Sequence, residues 1–328
     1  MSARQKALAI HKKVATSIIE HLEKGVRPWN KPFKGGSSIG QINLPVSNVG
    51  RPYRGVNIFW LNLVRMSNGY EDNQWGTYKS WKAYGEKYAK SIGSDEYFGV
   101  TEKGPVEVIF WKHSQWKEED EVTGEEKVRS AFHPRFFQVF NRAQTNLPPL
   151  PKEKVTKKEK ELAVIGAEEE FSRMVEDLEI DFRESSRGSA YYSAGQDYIH
   201  LPERKLFKTA EGRAATAFHE AVHWTGHSSR LDRDLTGMFG SEDYAREELV
   251  AEMGSAMLCM AAGIEDKMMD EQMENHAAYL QSWLKAIKES KDGGVRFINS
   301  AATKAGRACE LLMPEVFGKK DNKKEASE

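Results

Sequence analysis

The stretch FHEAVHWTGHSSRLDR, starting at Phe218, constrains the chain more than any other. His219 and His223 are four residues apart with Glu220 beside the first, the HExxH pattern. On a helix, side chains at i and i+4 stack on one face, so both imidazoles reach a single metal ion. Glu220 then lies next to that ion, where a carboxylate can take a proton from water. The preceding Arg213–Phe218 continues the helix upstream, and Gly226 lets it end just after the second histidine.

Two histidines leave a catalytic zinc short of a ligand, because such sites use three protein donors and one open position. The HExxHxxGxxH arrangement would place a third histidine at 229, where this chain has Ser229. His227 follows the helix-breaking glycine and reads as a capping or surface residue. A better source is YAREELVAE, residues 244–252, a second predicted helix. Glu248 and Glu252 share a face there, with Leu249, Met253 and Ala256 on an apolar one. We read Glu248 as the third ligand and Glu252 as the partner that orients a histidine, roles the spacing leaves exchangeable. Glu247 reads as a surface residue and remains an alternative ligand. His276 and Tyr279, two turns and one turn before Trp283, are candidates to stabilise an oxyanion, with core packing as their simpler role. Zinc (Zn2+) is the default ion for two histidines and a glutamate, with manganese (Mn2+) or another divalent ion as substitutes.

Charge divides the chain. Residues 1–150 carry 22 Lys+Arg against 15 Asp+Glu, while the remainder carries 26 against 34. Six of the eight tryptophans, Trp29, Trp60, Trp75, Trp81, Trp111 and Trp116, also lie in the first half. A basic, aromatic-rich half joined to an acidic one implies two tasks. The proline- and lysine-rich LPPLPKEKVTKKEK, residues 147–160, has linker chemistry. We therefore expect a first domain over 1–147, a linker over 148–160, a second domain over 161–316 and a disordered tail over 317–328. Each half mixes helices with a small sheet, so the expected class is α+β, the second domain being mainly helical. Predicted helices cover Gly212–Thr225, Ser241–Ala262, Met273–Glu289 and Phe297–Leu312, and short strands Ala190–Ser193 and Asp197–Leu201. In the first half Ile10, Val14, Ile18 and Leu22 mark an amphipathic helix, and Val106–Trp111 and Phe136–Phe140 read as strands.

The N-terminus shows no apolar leader, and no run nears the roughly 20 apolar residues of a membrane span. Cys259 and Cys309 fall in apolar helical patterns and read as buried thiols. A cytoplasmic protein with no membrane partner is expected; oligomeric state is not legible. The GxSxG match at Gly36–Gly40 lacks a strand before it and a helix after it, and reads as a loop.

HEAVHWTGHSSRLDR followed by YAREELVAEMGSAMLC resembles the C-terminal metallopeptidase domain of ArdC-type antirestriction proteins of conjugative plasmids and phages. AAYLQSWLKAIKES and AATKAGRACELL resemble that family's closing helices. The first half is similar too, in RPW (27–29), LPVSN (44–48), RPYRGVN (51–57), WGTYK (75–79) and VFNRAQ (139–144). The resemblance implies an N-terminal single-stranded-DNA-binding domain joined to a zincin-like metallopeptidase, protecting incoming plasmid or phage DNA from restriction. Its partners would be single-stranded DNA and an unidentified protein or peptide substrate. Base stacking on rings flanked by Arg and Lys suits that task, and Arg51, Tyr53, Arg54, Trp75, Tyr78 and Lys79 are the expected contacts. In zincins an edge strand before the metal helix pairs with extended substrate, a role for one of the two short strands. Lys82–Thr101 is expanded relative to the family pattern. Rival readings are a DNA-binding protein with a purely structural metal, and a protease whose basic half recognises protein.

Overall fold

A computed structural model describes residues 3–25, 44–119, 126–150, 157–238, 240–264, 281, 283–290 and 294–318. The RPW segment, the 36–40 loop, His276, Tyr279 and residues 319–328 lie outside them.

The chain opens with α1 (Ala3–Glu23), whose buried Ala7, Ile10, Val14, Ile18 and Leu22 follow helical spacing. Strand β1 (Val46–Ser47), helix α2 (Val56–Asn68), strand β2 (Gln74–Thr77) and helix α3 (Tyr78–Ile92) follow. The Thr77 hydroxyl caps α3 by accepting from the Ser80 N–H. A long hairpin, β3 (Val106–Glu119) and β4 (Glu126–Asn141), completes a four-stranded sheet of order β1-β2-β4-β3. The hairpin extends well past the two short strands expected from sequence. Its ladder reaches from Val106↔Val139 to Glu119↔Glu126.

After residue 150 the chain forms α4 (Lys157–Asp177), which begins inside the expected linker. Strands β5 (Asp181–Ser185), β6 (Tyr191–Ser193) and β7 (Tyr198–Pro202) make a sheet of order β5-β7-β6. Helices α5 (Ala210–Trp224), α6 (Glu242–Ala262), α7 (Val295–Leu312) and α8 (Pro314–Phe317) finish the fold. Phe317, expected in a disordered tail, is 2% exposed and closes α8. No helix among the described residues is long and apolar enough to cross a membrane.

The α+β class and the two-part organisation hold, but the parts do not have separate cores. One continuous cluster of buried apolar side chains runs from Ile10 and Ile18 through Phe59 and Trp75 to Phe218, Leu249 and Ile298. The reason is α1, which packs against β3 and β4 of the first half and against α7 of the second.

Helices α5 and α6 pack closely because α6 carries Gly254 at the crossing. A Cβ there would sit 2.6 Å from Cγ2 of Val222, one residue before the second histidine. Substituting Gly254→Ala is expected to cost about 1–3 kcal/mol through overpacking, despite alanine's better helix propensity. Pairing it with Val222→Ala should recover part of that loss. Chemical denaturation of the two variants measures both effects.

Candidate metal centre

Helix α5 starts at Thr209, whose hydroxyl accepts from the Gly212 N–H. Ala214, Ala217, Phe218, Ala221 and Val222 bury its apolar face. That burial turns His219, Glu220 and His223 toward α6. The imidazoles lie 4.8 Å apart, centroid to centroid, nearly edge to face. Their Nε2 atoms are 3.1 Å apart. From α6, Glu248 brings Oε2 within 3.6 Å of His219 Nε2 and Oε1 within 3.5 Å of His223 Nε2. Donor atoms bound tetrahedrally at 2.0–2.1 Å would be about 3.3 Å apart. The nearest spacings are close to that, each histidine facing a different Glu248 oxygen, and one donor atom from each residue lies within 4.8 Å of the others, so the set fits a divalent ion.

All three side chains are at least mostly buried, which makes their charges interdependent. Burial pushes the Glu248 carboxyl up, but hydrogen bonds from His219 and His223 outweigh it and hold the group well below the usual carboxylate range. Burial pushes both imidazoles down, and their acidic neighbours reverse this. Glu248 raises His219, while Glu247 and Glu248 together raise His223 further. Glu220 is 6% exposed, and burial raises its carboxyl despite the opposing influence of both histidines. The Tyr192 backbone on β6 also draws that carboxyl down, more weakly than the histidines do.

Glu247, read as a surface residue, is buried and accepts from His223 Nδ1 at 3.1 Å. It thus takes the histidine-orienting position expected of Glu252, which lies one turn further along α6 at 1% exposure. The swap follows from helix geometry: Glu247 and Glu248 point about 100° apart, so one reaches the outer nitrogen of His223 and the other its metal-facing one. Arg233 completes the arrangement. Its Nη2 and Nε donate to the two Glu247 oxygens at 2.8 and 2.9 Å, Nη1 donates to Thr225 Oγ1, and Nη2 also donates to the Val222 carbonyl. Gly226 does not adopt a left-handed conformation; it makes room, since a Cβ would meet Arg233 Nη2 at 2.9 Å.

His227 stays out of the cluster and bonds to Ser229 Oγ at 2.8 Å. Nearby, Arg230 lies 3.7 Å over the Trp224 ring and donates to the Trp224 carbonyl, to Asp197 and to the Tyr192 hydroxyl. This clamp joins the β6–β7 turn to the end of the metal helix. Of the two candidate substrate strands, β7 is central and β6 lies at the sheet edge. The roles of Arg230 and Arg233 were not recognised in the sequence, although SSRLDRD places two guanidiniums one turn apart directly after the HExxH helix.

In the first half, tertiary packing removes half of the expected DNA contacts. Trp75 is fully buried and Tyr53 is 6% exposed, so neither ring can stack on a base. Arg54 instead joins the halves, donating to Glu310 Oε1 at 2.9 Å and to the Gly318 carbonyl at 2.7 Å. Arg51, Tyr78 and Lys79 remain exposed. The register of β3 and β4 reveals another aromatic surface. Strand residues alternate between faces, so Phe110, Lys112 and Trp116 share one face with Phe137, Arg135 and His133, all exposed. Phe110 and Phe137 meet edge to face at 5.5 Å. Helix α1 packs on part of the opposite face, with Lys6 paired to Glu107 and stacked on Phe136 and His11 against Trp111, which nevertheless stays 52% exposed. The free edge of β3 is covered by α2, through Asn57 and Trp60.

Comparison with known proteins agrees with this division. Residues 9–140 match the model of the N-terminal domain of anti-restriction factor ArdC, and residues 169–304 match a zincin-like metallopeptidase model. A DNA primase TraC of Escherichia coli is 36% identical over 298 residues, which cover 85% of this chain but 25% of that protein. The chain thus spans about a quarter of that relative. The uncharacterized protein y4eC of Sinorhizobium fredii is 33% identical over 92% of this chain and 91% of its own length. Crystal structures of the antirestriction ArdC protein from plasmid R388 superpose with a TM-score of 0.65 in the metal-free form and 0.64 in the Mn(II)-bound form. They are 31% and 30% identical, each covering 93% of this chain and 97% of theirs. The chain belongs to the ArdC-type antirestriction proteins, with an ArdC N-terminal domain followed by a zincin-like metallopeptidase domain.

Proposed function

We propose that the protein binds single-stranded DNA with its first half and hydrolyses peptide bonds with its second, as part of protecting incoming plasmid or phage DNA. Single-stranded DNA and a protein or peptide are its partners, in the cytoplasm of the host cell. The observation that carries the peptidase reading is Glu220, a buried carboxyl of raised pKa beside a closely grouped His219, His223 and Glu248. A purely structural metal site gives such a carboxyl no role.

Zinc, or manganese as in the related crystal structure, would be held by His219, His223 and Glu248. When bound, it supplies Lewis acidity toward a scissile carbonyl and acidifies water. Glu220 takes the proton from the attacking water and passes it to the leaving amine, for which a raised pKa is suited. An extended substrate lies along the open edge of β6, the strand that precedes β7 and the helix carrying Glu220. On the DNA side, the rings of Phe110, Phe137 and Trp116 offer stacking surfaces, and Lys112, Arg135, Arg51 and Lys79 offer phosphate contacts beside Tyr78.

Glu220→Gln should lower proteolysis by about 10²–10⁴-fold at unchanged metal content, measured with and without single-stranded DNA. Equal cleavage by both proteins would remove Glu220 from the mechanism. For the DNA surface, Phe110→Ala combined with Phe137→Ala should weaken oligonucleotide binding by about 1–3 kcal/mol per lost stack. Lys112→Ala and Arg135→Ala should each flatten the salt dependence, by a slope of about 0.7 per phosphate contact. Fluorescence anisotropy over a salt series reads both.

Metal affinity should depend on pH with a definite sign. The metal-free imidazoles hold their protons above the ordinary histidine range, and binding must displace them. Affinity therefore rises with pH through and beyond about 6.5, with protons released on binding. Calorimetry in buffers of different ionisation enthalpy checks this.

A further inference from the structure

We infer that Arg233 is a positioning residue for the metal centre, acting through Glu247 on His223. The inference rests on the reading that His219, His223 and Glu248 hold the ion. Arg233 stands in the segment after α5 with its side chain 3% exposed. Both Glu247 oxygens accept from it, and the remaining donor directions go to Thr225 and to the Val222 carbonyl at the end of the metal helix. A planar guanidinium bound in this forked way fixes the plane of the carboxylate it holds. Glu247 Oε1 then faces His223 Nδ1 at 3.1 Å.

With Nδ1–H donated to Glu247, the lone pair of His223 lies on Nε2, which faces His219 and Glu248. Arg233 thereby sets both the ring plane and the tautomer of a ligand it does not touch. It also ties three segments together: the C-terminal turn of α5, the loop after it and the first turns of α6. Gly226 belongs to the same device, because a side chain there would collide with the guanidinium.

The test measures affinity for Zn(II) and Mn(II) in the full-length protein, by competition with a chromophoric chelator, and the spectrum of the Co(II)-loaded form. Binding by wild type and its loss in Glu248→Ala test the underlying reading first; its failure there is separate from failure of this inference. Given binding, Arg233→Met should weaken the metal about 10–100-fold. Arg233→Lys, which keeps the charge but not the fork, should recover only part of that and shift the Co(II) spectrum. Glu247→Gln should weaken binding similarly, and adding Arg233→Met to it should cause little further loss. Gly226→Ala should also weaken binding without any change of charge, though its Cβ crowds Leu235 and the His223 carbonyl as well as Arg233, so Arg233→Lys carries the test. Wild-type affinity in Arg233→Lys and Arg233→Met would overturn the inference, as would fully additive losses in the double variant. Melting of each metal-free variant separates a positioning defect from unfolding, because affinities are compared only at temperatures where the variant is fully folded.

Discussion

The close crossing of α5 and α6 is the contact on which the candidate centre depends. His219 and His223 come from one helix and Glu248 from the other, so their grouping exists only while the two backbones stay near. Gly254 against Val222 sets that distance, and the apolar faces around Phe218, Leu249 and Met253 hold it. Packing of ordinary core side chains thus decides whether three polar ones meet.

Bringing them together is costly in a way that shapes the surroundings. Glu220, Glu247 and Glu248 are all buried within a few residues of each other in space, and isolated buried carboxylates are strongly unfavourable. Glu247 has Arg233 and His223, Glu248 has the imidazoles of His219 and His223, and Glu220 has only the more distant influence of those same imidazoles. Glu220 is the least compensated of the three and the one whose carboxyl is raised. Which carboxyl is raised and which is lowered thus follows from where the positive partners are.

The first half is joined to this centre more firmly than a linker between independent domains would allow. Helix α1 lies between the hairpin and α7, and Arg54 reaches Glu310 and the backbone at Gly318. Any load on the β3–β4 hairpin thus passes through α1 to α7, which packs on α5 and α6. Conversely, residues grouped in the sequence as RPYRG and WGTYK separate in space, with Tyr53 and Trp75 in the core and Tyr78 outside.

Spacing within one helix was legible before any coordinates: the i,i+4 histidines, the acid beside them, the buried face of α1 and the second helix with its acids all follow from a 3.6-residue period. The α+β class and the change of character near residue 150 were legible for the same reason, since they depend on local pattern and composition. What tertiary structure decided is which side of a helix meets which neighbour. Glu247 and Glu248 differ by one position, and only the placement of α6 against α5 makes one the carboxylate facing the histidine pair and the other the partner of Arg233. An aromatic ring likewise carries no mark of being core or surface. The hairpin register puts Phe110, Trp116 and Phe137 on one face and Ile109, Trp111 and Phe136 on the one facing α1, where Ile109 is buried and Trp111 stays exposed.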